Sequence, residues 1–209
     1  MRRITGSIAA AAIAALMLTG CMSTQIPGGG SSDKPTSSQT DGNGGGDNGG
    51  TGGGKEITVA PATGTQLSGT GYSFNLPAGW TQRTDGVKAP IELMALNESD
   101  SDGFSDNLNV IKSPAGKLSA EQVETAGKKE LETVKATDIT IGDRVNVAGN
   151  EAAHLSAKFT QQGVTYATEQ YGVSNASQTY IVTFSFSESL PQADREKLAE
   201  SVLATWNWS

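Results

Sequence analysis

The chain of 209 residues contains one cysteine, Cys21, and one histidine, His154. A single cysteine excludes any disulfide within the chain. It also leaves a structural zinc site of the usual kind, which takes four Cys or His ligands, without enough donors. Positive charge is scarce as well: 15 Lys and Arg face 22 Asp and Glu, for a formal net charge of −7. An acidic chain repels phosphate backbones and anionic lipid headgroups, so nucleic acid is excluded as a partner. A long apolar run is missing too. The Ala-rich stretch from Ile8 to Leu18 is far short of the roughly 20 residues that a membrane-crossing helix needs.

That short stretch has a reading of its own. Arg2 and Arg3 precede it, and Leu18-Thr19-Gly20-Cys21 follows it. A positive start, a short apolar middle and small residues before a cut site make a secretory signal. The last four residues match the bacterial lipobox of an aliphatic residue, a small one, Gly or Ala, and Cys. Residues 1–20 are expected to be a lipoprotein signal peptide, with Leu18, Thr19 and Gly20 entering the peptidase site. Cys21 then becomes the first residue and carries diacylglycerol through a thioether, with a further acyl chain such as palmitate on its amine. One chain gives marginal binding at about 0.8 kcal/mol per buried CH₂, whereas two or more give stable anchoring. The expected address is the extracytoplasmic face of the cell membrane. Cleavage also removes two cations, so the mature chain would carry −9.

Residues 21–56 change composition abruptly. Asp41 to Gly54 reads DGNGGGDNGGTGGG. Such a segment cannot bury enough apolar surface to offset chain entropy. A flexible coil of roughly 34 residues has a root-mean-square span of about 30 Å, so this segment is expected to be a disordered tether. A phosphate-cradling glycine loop is disfavoured, because no strand precedes it and the Lys-Ser/Thr of a P-loop is missing.

Residues 57–209 then form one domain's worth of sequence. Alternation of apolar and polar residues predicts strands at Tyr72–Leu76, Ile91–Leu96 and Leu108–Ile111. Ser119-Ala120-Glu121-Gln122 is a capping-box pattern that opens a helix with Val123, Gly127, Leu131 and Val134 on one face. Four more strands are expected over Ile139–Val147, Ala152–Thr160, Val164–Val173 and Gln178–Ser187, with turns at Ala148-Gly149-Asn150 and Gln162-Gly163. A last helix begins near Pro191 and places Leu198, Val202 and Trp206 on one stripe. About seven strands and two helices, in the order βββ-α-ββββ-α, give an α+β fold with a mainly antiparallel sheet.

Three local phrases carry a resemblance. Tyr72-Ser73-Phe74-Asn75-Leu76-Pro77-Ala78-Gly79-Trp80 resembles the F-x-x-P-x-G-W opening of PsbP-like domains. Gly149-Asn150-Glu151-Ala152 resembles their Gly-x-x-Ala turn, and Gln178 to Ser185 resembles their late strand. That group includes actinobacterial lipoproteins of the LpqN and LpqT kind. The resemblance implies a PsbP-like sandwich and a binding or accessory role. It implies no shared catalytic residues and no cofactor.

Few side chains invite chemistry. His154 lies on the strand face opposite Ala153, Leu155 and Ala157, and reads as solvent-facing. A Ser-His-Asp triad needs only one histidine, yet no G-x-S-x-G elbow is present. A lipidated Cys21 could not serve as a nucleophile. Glu98, Asp100, Asp102 and Asp106 resemble the first half of a calcium loop, but the twelfth position is Asn109 rather than a bidentate Glu. A solvated hairpin loop is the preferred reading of that segment, with calcium as its alternative. Trp206 reads as core, and Trp208 as a residue at the edge of the core. The expected function is therefore a non-enzymatic binding or accessory module at the cell envelope. Its expected partners are the membrane, through Cys21, and an envelope protein or a cell-wall or lipid ligand. A carrier of an apolar small ligand is the alternative, and a hydrolase the third reading.

Overall fold

The computed structural model describes residues 53–100 and 102–209. The signal peptide, the lipobox and nearly all of the tether lie outside the described residues. Six strands precede the first helix: β1 (Lys55–Glu56), β2 (Gln66–Gly69), β3 (Tyr72–Asn75), β4 (Trp80–Gln82), β5 (Ile91–Asn97) and β6 (Asn107–Lys112). Then come α1 (Ala120–Thr133), β7 (Thr137–Ile141), β8 (Val145–Val147), β9 (Asn150–Gln161), β10 (Val164–Ser174) and β11 (Thr179–Ser187). The chain closes with α2 (Gln192–Leu203) and β12 (Asn207–Trp208).

The strands form a nine-stranded sheet in the order β1-β8-β9-β10-β11-β6-β5-β4, with β7 also paired to β9, and a three-stranded sheet in the order β12-β3-β2. All pairings are antiparallel except β1 with β8. The α+β class and the antiparallel sheet with two helices are thus as the sequence predicts. The strand count is not. β1, β2, β4 and β12 span two to four residues each, too short for alternation to register. The single strand expected over Ile139–Val147 is interrupted at residues 142–144, which separate β7 from β8.

Two hairpins set the register of the sheet's centre. Ala148 (φ 49°) and Gly149 (φ 81°) form the two-residue turn between β8 and β9, and Gln162 (φ 52°) and Gly163 (φ 83°) the turn between β9 and β10. Two successive positive φ values make a type I′ turn, whose twist matches that of the strands it joins.

The sheet is covered on both faces. On one face α1 begins with its predicted capping box, in which Ser119 accepts from the Gln122 N–H and Gln122 accepts from the Ser119 N–H. It packs Val123 and Leu131 against Ala153, Leu155, Ala157 and Ile181. Gly127 and Gly172 let helix and sheet approach closely. A Cβ at Gly127 would lie 3.2 Å from Leu155 Cδ2, and one at Gly172 only 2.6 Å from Val123 Cγ1. Val134, expected on the buried stripe, is the helix C-cap and is 42% exposed.

On the other face lies the larger core, built by α2 and the small sheet over Tyr180, Val182, Phe184 and Phe186. Trp206 stacks on Tyr72 at 4.5 Å and on Phe74 at 5.4 Å, in both cases with 7° between the ring planes. Offset stacks of this kind add about 0.5–1.5 kcal/mol each beyond their buried area. α2 ends at Leu203, so Trp206 reaches the core from the turn after the helix and not from a helical stripe. Trp208 is half-buried beside it, pairing with Tyr72 through β12.

Candidate functional site

The register of β9 against β10 places His154 opposite Tyr171 and Ser156 opposite Glu169. All four side chains share the face beneath α2, and all are buried. His154 is 4% exposed, which overturns the expectation that it faces solvent. The reason is coverage. Alternation separates a core face from a wet face only when one face is wet, and β9 has α1 on one side and α2 on the other.

Glu169 is the hub. Its Oε2 lies 2.9 Å from His154 Nε2 and accepts from Ser156 Oγ at 2.5 Å. Its Oε1 accepts from Arg195 Nε at 2.9 Å. Arg195 stands in the first turn of α2 and also donates to the Leu190 carbonyl at 2.7 Å, tying the approach to the helix to the same carboxylate. A fully buried carboxylate would be prohibitively costly alone, and three donors with one full positive charge compensate it. The His154 ring stacks flat on Tyr171, centroids 4.4 Å apart. The chain at Gly142 passes so close that a Cβ there would lie within 2.3 Å of His154 Nδ1. Only a residue without a side chain leaves room for the imidazole.

Two further groups complete the site. Glu196, next to Arg195 on α2, is half-buried and accepts from Gln192 Nε2 at 2.8 Å. One ligand atom from each of His154, Glu169 and Glu196 can be chosen so that all lie within 4.8 Å of one another. Tyr171 is fully buried and its hydroxyl has no hydrogen-bond partner. Burial pushes the phenol well above its ordinary range, and the charges of Glu169, Glu200 and Glu196 push it further in the same direction.

The cluster contains Ser, His and Glu but is not a nucleophile–base–acid chain. In a triad the serine bonds the histidine and the histidine bonds the acid. Here Ser156 donates directly to the carboxylate oxygen that His154 also contacts. The geometry suits the holding of a charge, or of a cation beside the carboxylates, better than attack on an ester.

The residues singled out from sequence fall elsewhere. Cys21, Leu18, Thr19 and Gly20 lie outside the described residues. Glu98, Asp100, Asp102 and Asp106 sit on the loop from β5 to β6, Glu98 and Asp102 being exposed. Asp102 Oδ1 accepts from the Phe104 N–H at 3.1 Å, and Asp106 Oδ1 from the Ser187 N–H at 2.9 Å. Burial raises the Asp106 carboxyl to about 6, against the lowering effect of the Ser187 bond and with help from the charges of Asp100 and Asp102. Asp102 is held below its ordinary value by its hydrogen bonds to Ser187 and Phe104. Asp106 clasps the loop to the end of β11, and Asp100 and Asp102 lie close enough for their charges to act on it. Sequence reasoning missed Glu169, Arg195, Glu196 and Tyr171. It also missed Glu124, which is buried and accepts from Arg144 through both oxygens, at 2.6 and 2.8 Å.

A surface groove of about 400 Å³ runs along the outer side of α2, between Leu198 and Ser201 of the helix and Pro61, Thr63 and Pro77 of the facing segments. Among the described residues no helix is long and apolar enough to cross a membrane.

No protein-family model matches the chain, and no curated protein sequence matches it. Among solved structures it is similar to a Bacteroides thetaiotaomicron protein, with 17% identity and a TM-score of 0.48 over 70% of this chain and 48% of that one. It is also similar to LpqN, described as involved in cell envelope biogenesis of Mycobacterium tuberculosis, with 12% identity and a TM-score of 0.47 over 68% of this chain and 88% of that one. The chain thus spans about half the length of the Bacteroides protein.

Proposed function

We infer that this chain is a lipoprotein of the cell envelope, held at the extracytoplasmic face of the membrane by lipid on Cys21. Its domain acts there as a non-enzymatic binding or accessory module. The observation that carries the reading is Leu18-Thr19-Gly20-Cys21 at the end of a short apolar run that opens with Arg2 and Arg3. The organisation behind it fits. A Gly-rich segment separates Cys21 from β1, and β1 is the edge strand of the large sheet, so the chain reaches the domain at its margin. The chain carries a formal net charge of −7, which disfavours electrostatic attachment to anionic lipid and leaves the anchoring to the lipid on Cys21.

The partner on this reading is an envelope protein or a cell-wall or lipid component, not nucleic acid. The groove beside α2 supports a second reading, a carrier of an apolar small ligand, because its size falls at the low end of ligand sites. Two experiments test the proposal. Cys21→Ala should release the chain from the membrane fraction of intact cells. Photo-crosslinkers placed along the domain surface should then capture a discrete envelope component from the wild type and less of it from the released variant. A Cys21→Ala chain that still sediments with membranes would overturn the anchoring, and co-purified lipid in native mass spectra would favour the carrier.

A further inference from the structure

The buried cluster has an unbalanced ledger. Glu169, Glu196 and Glu200 all act on the Tyr171 phenol through their charges, and Arg195 is the buried cation bonded to Glu169. Glu200 pairs with Lys55, which is more than half exposed and 3.6 Å away. Negative charge in a low-dielectric site calls for a cation. The neighbouring phenol hydroxyl of Tyr171, fully buried and without a partner, is the polar group that the protein leaves unsatisfied there.

From this geometry we propose that His154, Glu169 and Glu196 form a binding site for a divalent transition metal, zinc foremost, with Tyr171 beside it. The donor set is one imidazole nitrogen and two carboxylates, the borderline mixture that suits zinc and its first-row neighbours rather than calcium or magnesium, which take oxygen alone. Three ligands on a tetrahedral zinc stand about 3.4 Å apart at ordinary bond lengths. Here the candidate atoms all lie within 4.8 Å, and His154 Nε2 and Glu169 Oε2 are 2.9 Å apart. The ligand that closes the remaining distance is Glu196, which is half-buried on α2, is held by Gln192, and is the least buried of the three.

The surrounding bonds are those a metal ligand needs. Glu169 is oriented by Ser156 on Oε2 and by Arg195 on Oε1, so the carboxylate cannot rotate away. The His154 ring is fixed between Tyr171 and Gly142. Outer contacts of this kind commonly tune metal affinity by about 10–100-fold. With the metal on Nε2, the neutral imidazole carries its proton on Nδ1. The fourth position falls to a water, since the Tyr171 ring stacks parallel to the imidazole and its oxygen lies out of the plane in which the metal sits. The site does not involve the anchor, so it stands or falls apart from the proposed address.

The test uses the whole chain in a Cys21→Ala background, so that no thiol competes, stripped of metal with a chelator and titrated calorimetrically with a zinc salt alone. The expected result is one zinc per folded chain, bound at least about tenfold more weakly by Glu196→Gln. Glu196 is not in the core, so this variant keeps its fold even if His154→Ala does not, and circular dichroism verifies that. Cobalt in place of zinc should give the visible bands of a tetrahedral site, and these should be lost in the same variant. Absence of zinc binding to the folded chain, or an affinity unchanged by Glu196→Gln, would overturn the proposal.

Discussion

Arg195 Nε stands 2.9 Å from Glu169 Oε1, and the two side chains are 9% and 0% exposed. One belongs to the first turn of the last helix and the other to the middle of the central strand β10, 26 residues away. This contact joins α2 to the middle of the sheet through charge.

The first prediction follows from that pair. Arg195→Met leaves a buried carboxylate without its counter-charge and should cost about 3–5 kcal/mol. Urea denaturation should show the midpoint falling with little change in slope. Replacing both partners, as Arg195→Met with Glu169→Leu, should recover part of the loss, since an apolar pair of similar volume carries no desolvation penalty.

The acidic loop gives a pH dependence. Folding raises the Asp106 carboxyl from 3.8 to about 6, chiefly by burial. The folded state therefore favours the protonated form. The stability tied to this group is fully present below about pH 4 and is lost as pH rises through about 6. Asp106→Asn keeps an oxygen to accept the Ser187 N–H and removes the charge. It should raise stability above about pH 7 by on the order of 1 kcal/mol, a figure discounted because the group is only half-buried. At about pH 3.5 it should change stability little. Thermal melts of both chains across this range check the sign.

Close packing of α1 sets two glycines apart. At Gly172 a Cβ would meet Val123 Cγ1 at 2.6 Å, inside any tolerable contact. Gly172→Ala should cost about 1–3 kcal/mol through overpacking. At Gly127 the contact is 3.2 Å, with the flexible end of Leu155. There the helix gains about 1 kcal/mol from alanine over glycine, so Gly127→Ala should be close to neutral. Parallel denaturation curves separate the two.

Trp206 links β3 to the end of α2 by stacking on Tyr72 and Phe74. Trp206→Ala should cost about 3–5 kcal/mol, as truncation of a buried aromatic does. Trp206→Phe should cost distinctly less, because a ring remains and the indole N–H, which has no partner, loses no hydrogen bond. Unfolding midpoints check both.

Legibility in the sequence followed wetness. Tyr180, Val182, Phe184 and Phe186 were readable as one buried face, and Ser119 with Gln122 as a helix start, because these signals are local. His154 and Ser156 escape the pattern because their polar side chains lie on a covered face, where alternation no longer separates inside from outside. Their partner Glu169 is 15 residues from His154, and Arg195 is 26 beyond Glu169. Only the hairpin register and the docking of α2 bring them together. Nothing in the spacing around Glu124 announces Arg144, 20 residues on. The shortest strands left no periodic trace, and β1 and β12 exist only because a longer neighbour offers them an edge.

The central claim concerns Cys21, and one measurement addresses it directly. The chain should be extracted from the membranes of cells that express the full sequence, and its N-terminal peptide weighed by mass spectrometry. The expected peptide begins at Cys21 and carries a thioether-linked diacylglycerol. A chain that begins at any other residue, or a Cys21 with a free thiol, would contradict it.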